Sequence, residues 1–110
     1  MFGNSLKKIE KLAQKQNAEK LIEFVHDKHP QTRLAAIDAL GQCKDEAAYN
    51  ALIALVHDPD AGVRAHTILA LKVMGDPKAR VHIEHQKTLE KDADVLAAIH
   101  EALQVLHTRD

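Results

Sequence analysis

Hydrophobic and polar positions follow one another along this chain with the period of an α-helix. Leucine, isoleucine, valine and alanine return every three or four residues in seven segments, so seven amphipathic helices are predicted. Proline, glycine and aspartate stand between the segments, where they favour helix starts and stops. The predicted helices cover residues 5–16, 18–26, 31–42, 46–57, 60–74, 77–91 and 93–107.

One stretch of the chain is an internal repeat of another. The pattern of residues 21–45 returns at residues 52–76, an offset of 31 residues. Ten residues are identical at that offset: Leu21, Ile22, Val25, His26, Asp27, Arg33, Ile37, Ala39, Leu40 and Asp45 return as Leu52, Ile53, Val56, His57, Asp58, Arg64, Ile68, Ala70, Leu71 and Asp76. Pairs of helices that recur at a fixed period in this range are typical of a stacked array.

The repeat defines the predicted organisation of one domain, residues 1–110. Its first helix carries the same Ile-x-x-Leu spacing as the second helix of each repeat, so it reads as half of a truncated repeat. The last pair of helices is more polar and aligns best at an offset of 32, which is typical of a terminal cap. The predicted parts are an N-terminal capping helix (5–16), repeat 1 (17–44), repeat 2 (45–75) and an atypical repeat 3 that caps the C-terminal end (76–107).

The residues of the second helices carry a family resemblance. Residues 63–71 read VRAHTILAL, with DPD before them at 58–60 and Gly75-Asp76 after them, and residues 32–40 read TRLAAIDAL. This pattern resembles the HEAT repeat, and most closely the short bacterial and archaeal kind first noted in phycobilisome lyases. The resemblance implies an all-α fold: a short α-solenoid of stacked antiparallel helix pairs, about three repeats with an extra N-terminal helix.

The resemblance also implies a structural role for two arginines. Arg33 and Arg64 lie one turn into their helices, and Leu96 stands at this position in the third repeat. An Arg–Asp ladder across neighbouring turns is implied, formed by Asp27, Arg33, Asp58 and Arg64. A planar guanidinium can bridge two carboxylates, which suits the joining of one repeat to the next.

A binding surface is implied on the concave side of the stack, which in HEAT arrays is lined by the second helix of each pair. The candidate binding residues are Leu34, Asp38, Gln42, Ala65, Leu69, Lys72 and Glu101, and Ala97 and Gln104 stand at matching positions. Leu34 and Leu69 are apolar at positions that the repeat does not need for its core. Two interpretations stay open for them: they contact a partner inside a polar rim, or they only pack against neighbours or are simply exposed.

Composition and charge argue against some classes of function. The net charge is −1, with +3 on residues 1–20 and −4 on the remainder, so the basic end reads as a solvated helix face and nucleic acid is not an expected partner. Aromatic residues make up 3% of the chain, which leaves few side chains on which bases could stack. No stretch approaches the roughly 20 apolar residues of a membrane span, so no membrane partner is expected. The single Cys43 indicates a reducing compartment, and a cytoplasmic location is expected.

Eight histidines raise the question of a metal site. His82 and His85 are three residues apart on one predicted helix, and His100-Glu101 resembles one of the His-Glu pairs of deoxyhypusine hydroxylase, a di-iron enzyme built on HEAT repeats. That enzyme uses a set of such pairs and this chain has one, so neither a metal nor another cofactor is expected. No nucleophile with a neighbouring base and no glycine-rich phosphate loop is present in the sequence.

Two functions from different classes remain. The first is a non-enzymatic adaptor or scaffold that binds a segment of a protein partner on the concave face. The alternative is an accessory or subunit of a lyase-type or hydroxylase-type enzyme with a histidine-based metal site. In either case the end faces of so short a stack could pair, which would give a homodimer.

Overall fold

The fold was obtained as a computed structural model that describes residues 2–107, with side chains described from Ser5 onward. Within this range the chain is helical and contains no strand, which confirms the all-α prediction. The elements are α1 (Phe2–Gln14), α2 (Ala18–Ile22), α3 (Pro30–Leu40), α4 (Glu46–Leu55), α5 (Ala61–Met74), a 3-10 turn (Pro77–Ala79), α6 (Arg80–Leu89) and α7 (Ala93–Val105).

Aspartate side chains begin three of these helices. Asp45, Asp60 and Asp92 each have extended backbone angles, and each carboxylate accepts a hydrogen bond from a backbone N–H of the first helical turn. These bonds satisfy donors that a helix cannot satisfy itself. At the other end of α5, Gly75 adopts φ 77° and ends the helix in the left-handed conformation that glycine adopts without strain. The aspartate caps therefore lie in repeats 2 and 3, whereas α3 of repeat 1 begins after His29 without a side-chain cap.

Every helix differs from its predicted bounds by one or more residues, and in two of them part of the predicted α-helix is a tighter turn. The helix predicted over residues 18–26 ends at Ile22, because the N–H groups of Phe24 and Val25 bond three residues back, to Leu21 and Ile22, and tighten the chain into turns. The helix predicted over residues 77–91 begins as the 3-10 turn at Pro77 and ends at Leu89. In the first case the α-helical apolar spacing extends past the α-helical hydrogen bonds, since Val25 is buried beyond the end of α2.

The helices form two layers. The second helices α3, α5 and α7 pack side by side, and α1 continues their layer by packing on α3, in the place that the second helix of a truncated repeat would take. The first helices α2, α4 and α6 lie against this layer. The largest fully buried side chains lie between the two layers: Leu21, Ile37, Leu40, Leu52, Ile68, Leu71, Ile83, Ile99, Leu106, Val56, Val63 and Val95. The result is an elongated stack of 42 × 29 × 18 Å.

Small residues set the distance between α3 and α5. Gly41 is buried at the end of α3, and a Cβ placed on it would lie 2.7 Å from the carbonyl oxygen of Ala70 and 2.9 Å from its Cα. Ala36, Ala39 and Ala70 are buried beside it. The two helices therefore approach each other backbone to backbone at this point.

In the third repeat a different arginine connects the two helices of the pair. Arg80, at the start of α6, donates from Nη1 to the carbonyl oxygens of Leu103 and Leu106 at the end of α7, the first of them at 2.8 Å. These carbonyls have no partner inside their own helix, so the guanidinium acts as a cap. Leu96, which stands where the other two repeats have their arginine, is partly exposed.

Candidate protein-interaction surface

Arg64 joins the turn before α5 to the turn before α7. Its Nη1 donates to the carbonyl oxygens of Asp58 and Pro59 at 2.9 and 3.1 Å. Its Nε and Nη2 donate to the two carboxylate oxygens of Glu90 at 2.8 and 2.9 Å. One planar guanidinium thus holds its own turn and the acid of the next turn at once.

Arg33 occupies the equivalent place one repeat earlier with weaker contacts. Its Nη1 donates to the carbonyl oxygen of Asp27 at 3.2 Å, and its Nη2 lies 3.8 Å from Oδ2 of Asp60. The buried Nε of Arg33 has no hydrogen-bond partner among the described residues. The first connection of the ladder is therefore looser than the second.

The ladder differs from the implied one in the atoms that take part. Asp27 and Asp58 contribute their backbone carbonyls to the arginines, while their carboxylates accept from the N–H groups of His29 and Asp60, two residues on, at 2.9 Å each. The acids that face the arginines are Asp60 and Glu90. Sequence reasoning missed Glu90, although a signal exists: at the offset of 32, Glu90 aligns with Asp58 and Asp92 with Asp60.

Glu90 is a buried acid at this edge. Its side chain is 2% exposed. The Arg64 guanidinium lowers the pKa of the Glu90 carboxyl from its usual 4.5 to about 2; burial opposes this shift, and hydrogen bonds from the Gln86 side chain and the Asp92 N–H add to it. The same pair raises the pKa of Arg64. The carboxylate is thus kept ionised through the whole physiological range.

Acid is expected to destabilise the protein through this group. Because the pKa of Glu90 is lower in the folded chain than in the unfolded chain, the pair contributes its stability above pH 4.5 and loses it as the pH falls towards 2. Glu90→Gln should therefore flatten the loss of unfolding free energy between pH 5 and about pH 2, as measured by urea denaturation at each pH. If Glu90→Gln and the unmodified protein lost stability with the same slope, the pair would not be the source of the acid sensitivity.

The concave candidates lie on the layer of second helices and fall into two groups. Leu34, Ala65 and Leu69 are half-buried and pack against the core. Asp38, Gln42, Glu101 and the half-buried Lys72 present polar groups. Of the two interpretations for Leu34 and Leu69, packing against neighbours therefore holds for both, and Leu69 also lines a groove.

Polar pairs connect neighbouring helices across this face. Nδ1 of His66 on α5 lies 2.8 Å from Oδ1 of Asp38 on α3. Nζ of Lys72 on α5 donates to Oε2 of Glu101 on α7 at 3.1 Å. Such exposed pairs add little to stability. They do fix the order and spacing of the polar groups on the surface.

Two grooves run between the helices of this face, for which the resemblance implies a concave shape. The groove between α1 and α3 has a volume of about 410 Å³ and is lined by Leu6, Ile9, Glu10, Ala13, Gln14, Ala35, Asp38, Ala39 and Gln42. The groove between α3 and α5 has a volume of about 210 Å³ and is lined by Asp38, Gln42, Leu69, Ala70 and Val73. Because Asp38 and Gln42 line both, the two grooves form one surface, which we call the concave groove.

The concave groove has a distinct chemistry. Its described lining residues include two carboxylates, two side-chain amides and no basic residue. Glu10 has no hydrogen-bond or ion-pair partner among the described residues, and the same is true of Oδ2 of Asp38. Val73 is 62% exposed. Sequence reasoning missed Glu10, Gln14 and Val73, because α1 was treated as a cap and Val73 falls between the matched positions.

The histidines are spread over several parts of the stack. His85 on α6 makes an edge-to-face ring contact with His57, and Nε2 of His100 lies 3.1 Å from Nε2 of Gln104. Within residues 5–107 no group of three or more histidine, cysteine, aspartate or glutamate side chains is placed to hold a metal ion. Cys43 is a free, buried thiol whose pKa is raised by burial.

We call the contacts of Arg33 with Asp60 and of Arg64 with Glu90 the turn-edge ladder. Together with the stacked helix pairs, it defines a class of protein, a short α-solenoid. A family model of HEAT repeats matches residues 18–104, so the chain belongs to the HEAT repeat family. No curated protein matches the chain. HEAT repeats generally mediate protein–protein interaction. None of the helices in residues 2–107 combines the length and the apolar character needed to cross a membrane.

Proposed function

We propose that this protein is a non-enzymatic adaptor that binds a segment of a protein partner in the concave groove. The observation that carries the proposal is the lining of that groove: two carboxylates, two amides and an alanine-rich floor, with no base among the described lining residues. A complementary segment carries a lysine or arginine that reaches Glu10 and Asp38. It also carries a small apolar residue that contacts Leu69 and Val73.

Three features support a binding role over a chemical one. Ala39 and Ala70, which line the concave groove, are buried between packed helices, so the backbone of the groove is in place before binding and less entropy is lost on association. The groove is open and shallow, as suits a peptide segment. A hydroxylase-like centre would need several metal ligands converging at one place.

Two finer assignments belong to the same proposal. Within the HEAT repeat family, the VRAHTILAL pattern supports the phycobilisome-lyase type of repeat. A lone cysteine kept as a buried thiol supports a reducing, cytoplasmic location.

The partner chemistry is tested by selection from a random peptide display library on the immobilised protein. We expect enrichment of peptides with a lysine or arginine beside a small apolar residue. The double variant Glu10→Lys, Asp38→Lys should bind these peptides at least about tenfold more weakly, because like charges then face each other in the groove.

The matched control is the double variant Glu19→Lys, Glu23→Lys, which makes the same charge change at two exposed sites on α2 and at its end, in the layer of first helices. It should bind the peptides as the unmodified protein does. Thermal unfolding shows whether all variants remain folded. Failure to enrich any peptide, or equal binding by the double variant and the control, would contradict the proposal.

A further inference from the structure

We propose that His57 and His85 form a surface site for a borderline divalent transition-metal ion, with zinc the best fit, at the junction of repeats 2 and 3. His57 follows α4, and His85 lies on α6. Their ring centroids are 5.6 Å apart, and the ring planes make an angle of 83°. Two imidazoles that bind one tetrahedral ion at about 2.0–2.1 Å hold their centroids roughly 5 Å apart. The ring separation therefore fits a shared ion, with His57 held in place and the exposed His85 side chain turning towards it.

The orientation of His57 is held by a chain of hydrogen bonds. Gln86, whose residue is 6% exposed, donates from Nε2 to Oε1 of Glu90 at 2.8 Å, and a carboxylate can only accept. This fixes the amide so that its oxygen, Oε1, contacts Nδ1 of His57. Nδ1 then carries the proton, and Nε2 keeps a free lone pair.

That arrangement is the one that metal-binding histidines need. A ligating imidazole usually donates its other ring N–H to an oxygen acceptor, which fixes the tautomer and raises the basicity of the ligand nitrogen. Here the acceptor is Gln86, which is anchored by Glu90 and through it by Arg64. The turn-edge ladder thus also positions His57.

The surroundings give an ion access and a favourable field. His57 and His85 are both exposed and line an open cleft of about 700 Å³. Asp58, Glu90 and Asp92 line the same cleft together with Arg64 and Lys91, which leaves one net negative charge among these lining residues. In the described part of the chain no third side chain converges with the two imidazoles, so water fills the other positions of the ion. The site is therefore open, and its role is to connect α6 to the turn after α4.

Metal binding is tested on untagged protein by titration with Zn²⁺ in a calorimeter and with Co²⁺ by visible absorption. We expect one ion for each chain, or one for each pair of chains if two sites share it. His57→Ala and His85→Ala should each abolish this binding. Zn²⁺ should raise the melting temperature of the unmodified protein and leave that of either variant unchanged.

Two control variants separate this site from its alternatives. His26→Ala removes the repeat-equivalent histidine, and His82→Ala removes the other histidine three residues away on α6; both should bind Zn²⁺ as the unmodified protein does. Gln86→Met, similar in size but without the acceptor, should weaken binding about ten- to a hundredfold. The assignment is overturned if the unmodified protein binds no ion, if His57→Ala still binds, or if His82→Ala abolishes binding.

Discussion

Replacing Arg64 with alanine is expected to lower the free energy of unfolding by about 2–3 kcal/mol. The change leaves the Glu90 carboxylate, with a side chain only 2% exposed, without the cation that neutralises it. Breaking a fully buried pair costs about 3–5 kcal/mol, and the value here is lower because 16% of the Arg64 side chain reaches solvent. The carbonyls of Asp58 and Pro59 lose their donor as well. In a domain of this size the melting temperature should fall by roughly 10 °C or more.

Arg33→Ala is the matched control, since it makes the same change one repeat earlier. Its ion-pair distance is 3.8 Å, and the Asp60 side chain is 54% exposed, so removal should cost about 1 kcal/mol or less. Both are measured by urea denaturation at pH 7. A double-mutant cycle of Arg64→Ala with Glu90→Gln should give a coupling energy above about 1 kcal/mol. Equal losses for the two arginines would show that the contact with Glu90 adds nothing beyond side-chain packing.

The turn-edge ladder shows which contacts between neighbouring turns could be predicted from the sequence. The repeat offset placed Arg33 and Arg64 at equivalent positions, and both lie at the turn edge in the structure. It did not predict which acids they face, because an Asx turn at Asp58 directs that carboxylate towards its own backbone. The Glu90 side chain is one methylene longer than that of Asp58, with which it aligns, and its repeat is shifted by one residue. For these reasons Glu90 contacts Arg64, whereas the Asp58 carboxylate does not. Side-chain length and local turn geometry decide such pairs, and neither is visible in a repeat alignment.

On the concave face, too, some features could be predicted from the sequence and others could not. The family resemblance implied which helix faces would share the surface, and Asp38, Gln42 and Leu69 do line its grooves. It could not predict that Lys72 and Glu101 would pair with each other across two helices, or that His66 would contact Asp38. Those contacts depend on the offset between neighbouring helices in the stack.

Helix ends were less predictable than helix faces for a physical reason. The apolar spacing over residues 18–26 is set by burial, and Leu21 and Val25 are both buried as that spacing requires. Whether the backbone there is an α-helix or a series of tighter turns depends on which carbonyl each N–H reaches. Burial alone does not decide this, because both conformations put nearly the same side chains inwards.

Replacing Gly41 with alanine is expected to destabilise the stack by about 2 kcal/mol, although alanine is the better helix former. Gly41 has φ −62°, which any residue adopts, so the backbone conformation is no obstacle. The obstacle is space: the new Cβ would lie 2.7 Å from the Ala70 oxygen and 2.9 Å from its Cα. These are backbone atoms of α5, which also packs against α4 and α7 and cannot shift freely. Overpacking of this kind costs about 1–3 kcal/mol.

Gly62→Ala is the matched control for this change, because the same methyl group there would meet only the Asp60 side-chain oxygen, at 3.1 Å, on an exposed surface. It should alter the unfolding free energy by no more than about 0.5 kcal/mol in urea denaturation. Adding Ala70→Gly to Gly41→Ala should not restore stability, because the carbonyl oxygen and Cα of residue 70 remain in place. Full recovery in that double variant would mean that a side-chain contact, and not the approach of two backbones, sets the spacing between α3 and α5.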